Sequence, residues 1–366
     1  AQDDGLPMGP LLKSDGSRWR IGYIEGGLYN DYPPVLKSTV AFLVDMGWVK
    51  ASVLECTSNA ELTKEIWNCL TRDSASDYLV FAPDAYWSAD WDQVRRNYNR
   101  EAFYERAREQ GDIDLMLAMG TWAGQDLAVD EHSVPTVICS TSNAIAAGII
   151  NSATDSGRDH IHARVDPTRY ARQVRLFNEI VGFTRLGVVF EDTVEGRSYA
   201  GIDQILPVGD ELGFELVECH VPFSGVDQAM VVEMVAQCHE EIAPQIDAMY
   251  ITIHRGVTPE SMGRLLEPMY AHYIPTFAMG THYEVKQGAL MSMAQLNFDY
   301  AGRFYAATIG KILNGALPRQ LSQALEDPQE VSVNVETARR IGFHLPLDLL
   351  SEAAIIVQLY GEVEEP

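Results

Sequence analysis

The sequence lacks both a long apolar run and an excess of basic residues. No stretch approaches the roughly 18–20 consecutive apolar residues that span a bilayer, so no membrane-spanning helix is predicted. Its 27 lysines and arginines are outnumbered by 52 aspartates and glutamates, which gives a formal net charge of −25. Because nucleic acids and anionic membrane faces attract basic surfaces, this charge argues against both partners. Its simplest explanation is an acidic surface that keeps the protein in solution.

Cysteine is also scarce, and the motifs of common enzymes are absent. The five cysteines form no C-x-x-C pair, which argues against a zinc or thioredoxin-like site. Cys56 with Cys69, and Cys219 with Cys238, could each bridge a strand end to the following helix, and buried free thiols are an equal alternative. There is no G-x-S-x-G, Walker A, H-E-x-x-H or G-x-G-x-x-G motif after a strand. The sequence therefore predicts no enzyme, no cofactor and no metal site.

What the chain does contain is a repeated alternation of strand and helix patterns. The first strand, 21–24, runs through Glu25-Gly26-Gly27 into a polar, aromatic loop, and Pro33-Pro34 opens a helix that Gly47 ends. Further strands are predicted at 48–54, 78–82, 115–119 and 135–139, and helices at 60–70, with Asn59 as its cap, and at 92–110. After a polar connection, strands follow at 186–190, 216–221, 249–253, 276–279 and 289–293. Over 366 residues, this order predicts two α/β domains with mostly parallel sheets.

The start of the chain differs in composition from the rest. Residues 1–17 are rich in Gly, Pro, Asp and Ser, which predicts a flexible N-terminal arm. No signal peptide and no initiator methionine is present; the start AQDDG is typical of a mature end left after an export signal is cleaved, or of a trimmed chain. We therefore expect an exported, periplasmic protein.

Three segments carry a resemblance to a known family: IGYIEGG…VLKSTVAFLVDMGW, GALMSMAQLNFDYAGRFYAATIGKILNGALP and VSVNVETARRIGFHLPLDLLSEA. Through them, residues 18–356 resemble the type I periplasmic binding proteins, and more narrowly the ABC-transporter substrate-binding family that includes the tryptophan/tyrosine-type binding proteins. The resemblance implies two Rossmann-like lobes with parallel sheets, joined by a three-segment hinge. The N-terminal lobe would hold 18–143 and 289–325, and the C-terminal lobe 144–288 and 326–366. The chain departs from the family in a longer, aromatic segment at 82–110 and in the loop STSNAIAAG, where members often show an Asp-Pro pair.

In such a fold, loops at the carboxyl ends of the strands line a cleft that closes on the ligand. The candidate ligand-binding residues of the N-terminal lobe are Glu25, Tyr29, Thr121, Trp122, Ser140, Thr141 and Ser142. Those of the C-terminal lobe and the crossover are Glu191, Ser198, Tyr199, His254, Arg255, Thr281, Asn297 and Asp299.

The charged and hydroxyl groups of this set suit a zwitterion. The serine and threonine side chains of 140–142 precede a predicted alanine-rich helix, whose free N–H groups could hold a carboxylate. Glu25, Glu191 or Asp299 could hold an ammonium group, since a buried charge needs a partner. Each also has a plainer role: the hydroxyls and Asp299 could cap their helices, and Glu25 could face water at a strand end.

The aromatic members suit an apolar body on the ligand. Tyr29, Trp122 and Tyr199 could enclose such a body, although Trp122 could instead pack at the start of its helix. Arg255 could pair with an acid across the hinge rather than with a ligand. His254 has no metal-ligand spacing around it and is expected to be a hydrogen-bonding loop residue.

We therefore expect a monomeric, extracytoplasmic solute-binding protein without a cofactor. It would capture a small molecule by hinge closure and deliver it to an ABC permease. The ligand we expect first is an amino acid or related carboxylate with an apolar or aromatic side chain. One alternative is a ligand-sensing module that serves a signalling receptor. Another is a carrier of a bulkier apolar or lipid ligand, which the aromatic residues Tyr86, Trp87 and Trp91 keep open. An enzyme fits least, because no nucleophile–base set is present.

Overall fold

The computed structural model describes residues 5–294, 297–326 and 330–357, which fold as two α/β units. Of these residues, 5–167 and 297–326 form the first unit, and 168–294 and 330–357 form the second. The chain therefore passes between the units three times. Within the described ranges, no helix has the length and apolar character needed to cross a bilayer.

The first unit is built on five strands that all run in the same direction. Its elements, in chain order, are β1 (Trp19–Glu25), α1 (Tyr32–Asp45), α2 (Leu54–Asn59), α3 (Thr63–Leu70), β2 (Leu79–Ser88), α4 (Gln93–Glu109), β3 (Leu115–Met119), α5 (Gly120–Leu127), β4 (Thr136–Cys139) and β5 (Ile161–Ala163). The strands pair in parallel in the order β2-β1-β3-β4-β5. Side chains from both faces of the sheet are buried, Ile21 and Tyr23 on one and Ile24 and Met116 on the other. Both faces are therefore covered, as in other parallel sheets.

The second unit repeats this strand order and extends it. Its elements begin with α6 (Arg169–Val181), β6 (Arg185–Phe190), α7 (Val194–Ala200), α8 (Ile202–Leu212), β7 (Glu215–His220), α9 (Gln228–Ile242), β8 (Ala248–Ile251), α10 (Met262–Ala271), β9 (Thr276–Ala278), α11 (Tyr283–Lys286) and β10 (Met291–Ala294). Helix α12 (Asp299–Leu313) then belongs to the first unit, and β11 (Glu330–Asn334), α13 (Val335–Arg340), α14 (Leu347–Glu352) and β12 (Ile355–Val357) complete the second.

The second sheet has the order β12-β11-β10-β9-β8-β6-β7. Strands β6 to β10 are parallel, and β11 runs antiparallel to β10. The order β7-β6-β8-β9-β10 matches β2-β1-β3-β4-β5 of the first unit, so both sheets reverse their direction of winding beside the first strand of the unit. The predicted fold class, two α/β lobes with mostly parallel sheets, is confirmed.

The boundaries between the units differ from the predicted ones at two places. Residues 144–167 lie in the first unit, because β5 pairs with β4 and the N–H of Val165 donates to the carbonyl of Gln323 at 2.8 Å. Residues 289–294 lie in the second unit, because β10 pairs with β9 and β11. The predicted boundaries followed changes in composition, whereas strand pairing decides which sheet a segment joins.

The predicted strand at 48–54 is wrong. The chain there makes a 3₁₀ turn, Ala51–Val53, and continues directly into α2. Val53 and Thr57 are buried while the residues between them are mostly exposed, and a spacing of four residues is the period of a helix rather than of a strand. Asn59 ends α2 by donating to the carbonyl of Glu55 at 2.9 Å, so it does not cap the next helix.

The segment predicted to be a flexible arm is held on the first unit over part of its length. The indole N–H of Trp48 donates to the carbonyl of Met8 at 2.8 Å. The side-chain amide of Asn314 donates to the carbonyl of Gly9 at 2.9 Å. Composition alone hid these bonds, because they use backbone carbonyls of the arm and donors far away in sequence.

Two disulfides form, and they settle what the sequence left open. Cys56 and Cys69 join α2 to α3 with their Cα atoms 5.9 Å apart, and Cys219 and Cys238 join β7 to α9 at 5.7 Å. Cys139, at the end of β4, is buried and free, and burial raises the pKa of its thiol. Disulfides of this kind persist in oxidising compartments.

This pairing predicts a simple labelling result. Denatured but unreduced protein treated with iodoacetamide is expected to gain one carbamidomethyl group, on Cys139, because the other thiols are joined. After reduction, all five cysteines should react. Intact-mass measurement and peptide mapping check both counts, and a label on Cys56 or Cys219 without reduction would contradict the pairing.

Candidate functional site

In each unit, the carboxyl ends of the central strands are the place where ligands of parallel α/β sheets bind. In the first unit, β1 ends at Glu25, and β3 runs without a loop into α5 at Gly120. In the second unit, β6 ends at Phe190 and β8 at Ile251. The side chains gathered at these ends form one polar cluster in each unit, and each cluster is described by itself.

The cluster of the first unit surrounds the carboxylate of Glu25. The hydroxyl of Tyr23 donates to Oε2 at 2.7 Å, and that of Thr63 donates to the same oxygen at 2.8 Å. The hydroxyl of Tyr86 lies 3.1 Å from Oε1 and 2.9 Å from the Thr63 hydroxyl. We call these four residues the Glu25 cluster. The rings of Tyr23 and Tyr86 stack with their centroids 5.0 Å apart, which fixes the two phenols beside the carboxylate.

The charge of Glu25 is buried among neutral groups. Only 1% of the residue is exposed, and among the described residues no lysine, arginine or histidine forms an ion pair with it. Lys64 lies 4.2 Å from the ring centre of Tyr86 rather than at the carboxylate. Burial raises the pKa of Glu25, although the surrounding hydroxyls offset part of this effect by hydrogen bonding. The alternative role considered for Glu25, a side chain that faces water at a strand end, is therefore wrong.

The aromatic segment that sets this chain apart packs onto the glycine loop beside Glu25. The N–H of Trp91 donates to the carbonyl of Gly26 at 2.8 Å, and its indole N–H donates to the carbonyl of Leu28 at 2.9 Å. A Cβ on Gly27 would lie 2.7 Å from the Trp91 ring, so only glycine fits there. Trp91 itself adopts φ +59, a conformation that bulky residues rarely take. The segment thus fixes the loop that follows β1.

Trp122 is part of the same packing and does not stand free to enclose a ligand. Its ring lies 5.5 Å from that of Trp91, edge to face, and the guanidinium of Arg96 covers it at 4.5 Å. Arg96 is fixed in turn by Asp126, with both carboxylate oxygens 3.0 Å from Nε. The plainer role, a packed aromatic residue at the start of a helix, therefore describes Trp122.

The loop after β4 does not lead into the predicted alanine-rich helix. Residues 144–148 form turns, and the side chain of Asn143 caps them by accepting from the N–H groups of Ile145 and Ala146 at 3.2 and 3.1 Å. Ser140 adopts φ +54, and its N–H donates to the hydroxyl of Tyr305 at 3.0 Å. A carboxylate site at a helix N-terminus is therefore not formed here, because no α-helix supplies the aligned N–H groups.

The cluster of the second unit is arranged around Phe223. Its ring lies 4.5 Å from Tyr199 and 5.4 Å from His254. Its carbonyl accepts from Nη1 of Arg255 at 2.8 Å, and its N–H bonds to Glu191. We call these five residues the Phe223 cluster. Loops after β6, β7 and β8 and the helix α7 thus meet at one ring.

His254 is fully used by its own loop. Its Nε2 lies 3.2 Å from the carbonyl of Val221, and its Nδ1 accepts from the N–H of Gly256 at 3.1 Å, which assigns the proton to Nε2. Burial lowers its pKa to about 4. His254 is therefore a neutral residue that orders the loop and leaves no ring nitrogen for a ligand.

Arg255 is half-buried and has unused hydrogen-bonding capacity. Its guanidinium makes one hydrogen bond, to the Phe223 carbonyl, and no carboxylate of the described residues lies within ion-pair distance of it. Burial lowers the pKa of the guanidinium, and the charge of Asp227 raises it only in part. An arginine carries five N–H donors in a planar fork that matches a carboxylate. The guanidinium therefore has N–H donors left with which it could bind an anion.

Two of the remaining candidates from the first unit are packed, and two serve local structure. Tyr29 is half-buried, 5.4 Å from the ring of Tyr32, and Thr121 is buried in the first turn of α5. The hydroxyl of Thr141 donates to the carbonyl of Arg164 at 3.4 Å. Ser142 is half-buried in the same loop.

Three of the remaining candidates have hydrogen-bond partners within the chain, and the fourth is buried. Asn297 accepts from the N–H of Asp299 at 2.9 Å, and Asp299 accepts from the hydroxyl of Ser38 at 3.3 Å; both are exposed at the start of α12. The hydroxyl of Thr281 accepts from the N–H of Tyr283 at 3.1 Å and donates to the carboxylate of Glu284. Ser198 is fully buried on α7. Of the predicted set, the clusters thus contain Glu25, Glu191, Tyr199, His254 and Arg255.

No group of three or more His, Cys, Asp or Glu side chains in the described ranges is placed to hold a metal ion.

The sequence profile of a family described as ABC transporter substrate binding protein matches residues 90–357. The chain belongs to this family. No curated protein matches the chain significantly.

Solved structures show how widely the fold of this substrate-binding protein is shared. A structure from Streptococcus pneumonia, described as an ABC domain in complex with L-Trp, has a TM-score of 0.66 at 16% identity, over 93% of this chain and 100% of its own. A conserved domain protein from Vibrio cholerae has a TM-score of 0.66 at 17% identity, with the same coverage of both chains. A periplasmic ribose ABC transporter protein from Conexibacter woesei has a TM-score of 0.52 at 9% identity, over 93% of this chain and 97% of its own. At these identities the likeness shows the fold, which is the predicted type I periplasmic binding fold.

Proposed function

We propose that this substrate-binding protein captures a small carboxylate outside the cytoplasm and delivers it to an ABC permease. The preferred ligand is an amino acid or related carboxylate with an apolar or aromatic side chain. Capture occurs by closure of the two units on the ligand, as the resemblance to type I binding proteins implies. The ligand stabilises the closed state by its higher affinity for it.

The observation that carries the carboxylate is Arg255. Burial costs this cation solvation, and the Phe223 carbonyl and the charge of Asp227 offset only part of the cost, so a ligand anion that reaches the guanidinium recovers more of it. The neighbouring rings of Phe223 and Tyr199 supply an apolar surface beside the guanidinium. A carboxylate attached to an apolar body matches this combination of groups.

Two further observations support the proposal. The two disulfides suit a protein that works in an oxidising compartment such as the periplasm. The lipid-carrier alternative loses its basis, because Tyr86 stacks on Tyr23, Trp87 packs on Phe103, and Trp91 packs on the glycine loop. These three aromatic side chains therefore help to build the first unit.

Thermal unfolding with a ligand library tests the proposal. The library holds amino acids, other carboxylates, nucleosides, sugars and lipids, and includes L-tryptophan because the pneumococcal relative is described with it. A ligand at 100 times its Kd should stabilise the protein by about 2.7 kcal/mol, enough for a shift of several degrees. We expect the shift with apolar or aromatic amino acids.

The control is the same library without its carboxylates. Shifts with uncharged sugars or nucleosides, and none with any carboxylate, would overturn the proposed ligand class. Isothermal titration with the ligands that shift the melting temperature gives the affinity and the stoichiometry.

A further inference from the structure

The Glu25 cluster narrows the ligand class further, and this step rests on the proposed function. A carboxylate that is 1% exposed normally has a cation beside it, because the cost of burying a charge is recovered only by pairing. Here the partners are neutral hydroxyls, from Tyr23, Thr63, Tyr86 and Ser88. The cluster keeps the carboxylate hydrogen-bonded and leaves its charge uncompensated.

The two oxygens of this carboxylate have different surroundings. Oε2 accepts from Tyr23 at 2.7 Å and from Thr63 at 2.8 Å, and both residues are fully buried. Oε1 has a longer contact, with the hydroxyl of Tyr86 at 3.1 Å, and the side chain of Ser88 also bonds to the carboxylate. Tyr86 and the neighbouring Ser88 are only half-buried. The accepting capacity that remains therefore lies on Oε1, on the side of the less buried residues.

The groups on that side match an ammonium ion. An ammonium carries three N–H donors, and Oε1, the Tyr86 hydroxyl and the Ser88 hydroxyl are three oxygens that can accept. A metal ion fits less well, because calcium requires six to eight oxygen ligands and one carboxylate with neutral hydroxyls is a poor set. The face of the Tyr86 ring is covered by Lys64, so the polar edge is the part left for a ligand.

We propose that Glu25 is the ammonium-binding residue of this protein, so that its solute must carry a charged amine as well as a carboxylate. The amine takes the side of Oε1 next to the half-buried Tyr86 and Ser88, where the Tyr86 hydroxyl makes its 3.1 Å contact. Tyr23 and Thr63 act as positioning residues, because their hydroxyls hold the carboxylate through its other oxygen, Oε2. Raised basicity of the buried carboxyl, seen in its pKa, agrees with a charge that still lacks a cation.

The first test uses the unaltered protein and matched sets of probes. Each set has an amino acid, its deamino acid and its decarboxylated amine: phenylalanine with phenylpropanoate and phenylethylamine, tryptophan with indolepropionate and tryptamine, and leucine with isocaproate and isoamylamine. Titration calorimetry gives the affinities. The deamino acid of the set that binds is expected to bind at least about 30-fold more weakly, because it leaves a desolvated charge unpaired.

The second test exchanges the charge on the protein. Glu25→Gln should lower the affinity for the amino acid by at least about 30-fold and leave that for the deamino acid unchanged or higher, so the two probes become nearly equal. Tyr86→Phe keeps the ring and removes one hydroxyl, and should cost less than Glu25→Gln. Glu101→Gln, an exposed site on α4 paired with Arg100, is the matched control and should change neither affinity.

A structural role for Glu25 would give a different pattern. Removing an uncompensated buried charge should leave the ligand-free melting temperature of Glu25→Gln equal to or above that of the parent protein. A lower melting temperature together with equal losses for all three probes would assign Glu25 to folding and overturn the inference.

The remaining outcomes separate the inference from the proposed function. If the amino acid and its deamino acid bind equally well, the carboxylate proposal stands and the role of Glu25 is wrong. If only the amines bind, and Glu25→Gln abolishes this, Glu25 keeps its role and the carboxylate proposal fails. If no member of any set binds, both are overturned.

Discussion

Lowering the pH from 7 to 5 is expected to destabilise this protein by several kcal/mol. Four buried histidines have their pKa lowered to about 4 by burial: His132, His162, His239 and His254. In the unfolded chain a histidine titrates near 6.5. Between about pH 6.5 and 4 the unfolded state therefore binds more protons than the folded state does. Stability therefore falls as the pH falls through this window, by about 2 kcal/mol per histidine between pH 7 and 5.

Other groups act in both directions, and His160, whose pKa burial also lowers, adds to the loss. Glu25, Glu191 and Glu284 have a raised pKa, so they take up protons more readily in the folded state and offset part of the loss near the acid end of the window. Asp112 and Asp247 have a lowered pKa, and their contribution is lost only below the ordinary value for aspartate. The net effect between pH 7 and 5 remains destabilising.

Urea unfolding at pH 7, 6 and 5 measures this change in the free energy of unfolding. The slope of the logarithm of the unfolding constant against pH counts the protons taken up, and a value near four is expected in the steepest part. His239→Gln should lower this slope by about one, because it removes one of the four buried rings. A stability that is flat from pH 7 to 5 would contradict the burial of these rings.

Strands buried on both faces were predictable, because their sequences are continuous apolar runs between turn residues. All five residues of Leu115–Met119 are buried, and the predicted and observed bounds agree. Strand β5 was missed, because its three residues, Ile161–Ala163, follow a polar connection and include a histidine. Its place in the sheet comes from pairing with β4, which local sequence does not report.

The helix predicted for the alanine-rich segment after Asn143 is wrong for the opposite reason, since the local helix propensity of that segment is strong. Alanine favours helix, but the run is short and Gly148, at φ +70, closes it after a single turn. The predicted carboxylate site depended on that helix and fails with it. The charged groups at strand ends were better predicted, because Glu25 and Arg255 follow directly from the order of strands and loops.

The partners of those charges were not predictable. Tyr23 is two positions from Glu25 on the same strand, where period-two spacing places it on the same face. Thr63 and Tyr86 are 38 and 61 positions away, and only the folded chain brings them to the carboxylate. Phe223 was likewise missed, because a single aromatic residue in a loop carries no periodic signal. What the sequence could not supply was therefore the burial of each charge and its lack of a counter-ion.

That lack makes Arg255 the position where a substitution should affect binding most. Arg255→Gln keeps a donor for the carbonyl of Phe223 and removes the charge. The affinity for the carboxylate ligand is expected to fall by about 100-fold or more, because the variant removes one partner of a desolvated ion pair. Arg255→Lys keeps the charge and loses the planar fork, so its affinity for the ligand should lie between those of the parent protein and Arg255→Gln.

The stability of the ligand-free protein decides whether this loss belongs to binding. Burial lowers the pKa of Arg255, so its charge is a cost in the absence of ligand, and Arg255→Gln should unfold at a temperature no lower than the parent protein. Arg264→Gln is the matched control in the same unit, because Arg264 is paired with Glu233 at 2.7 Å and exposed. Titration calorimetry should show unchanged affinity for this control. Equal affinities for the Arg255 and Arg264 variants would remove Arg255 from the site, because a guanidinium that holds the ligand carboxylate cannot be lost without leaving that carboxylate unpaired.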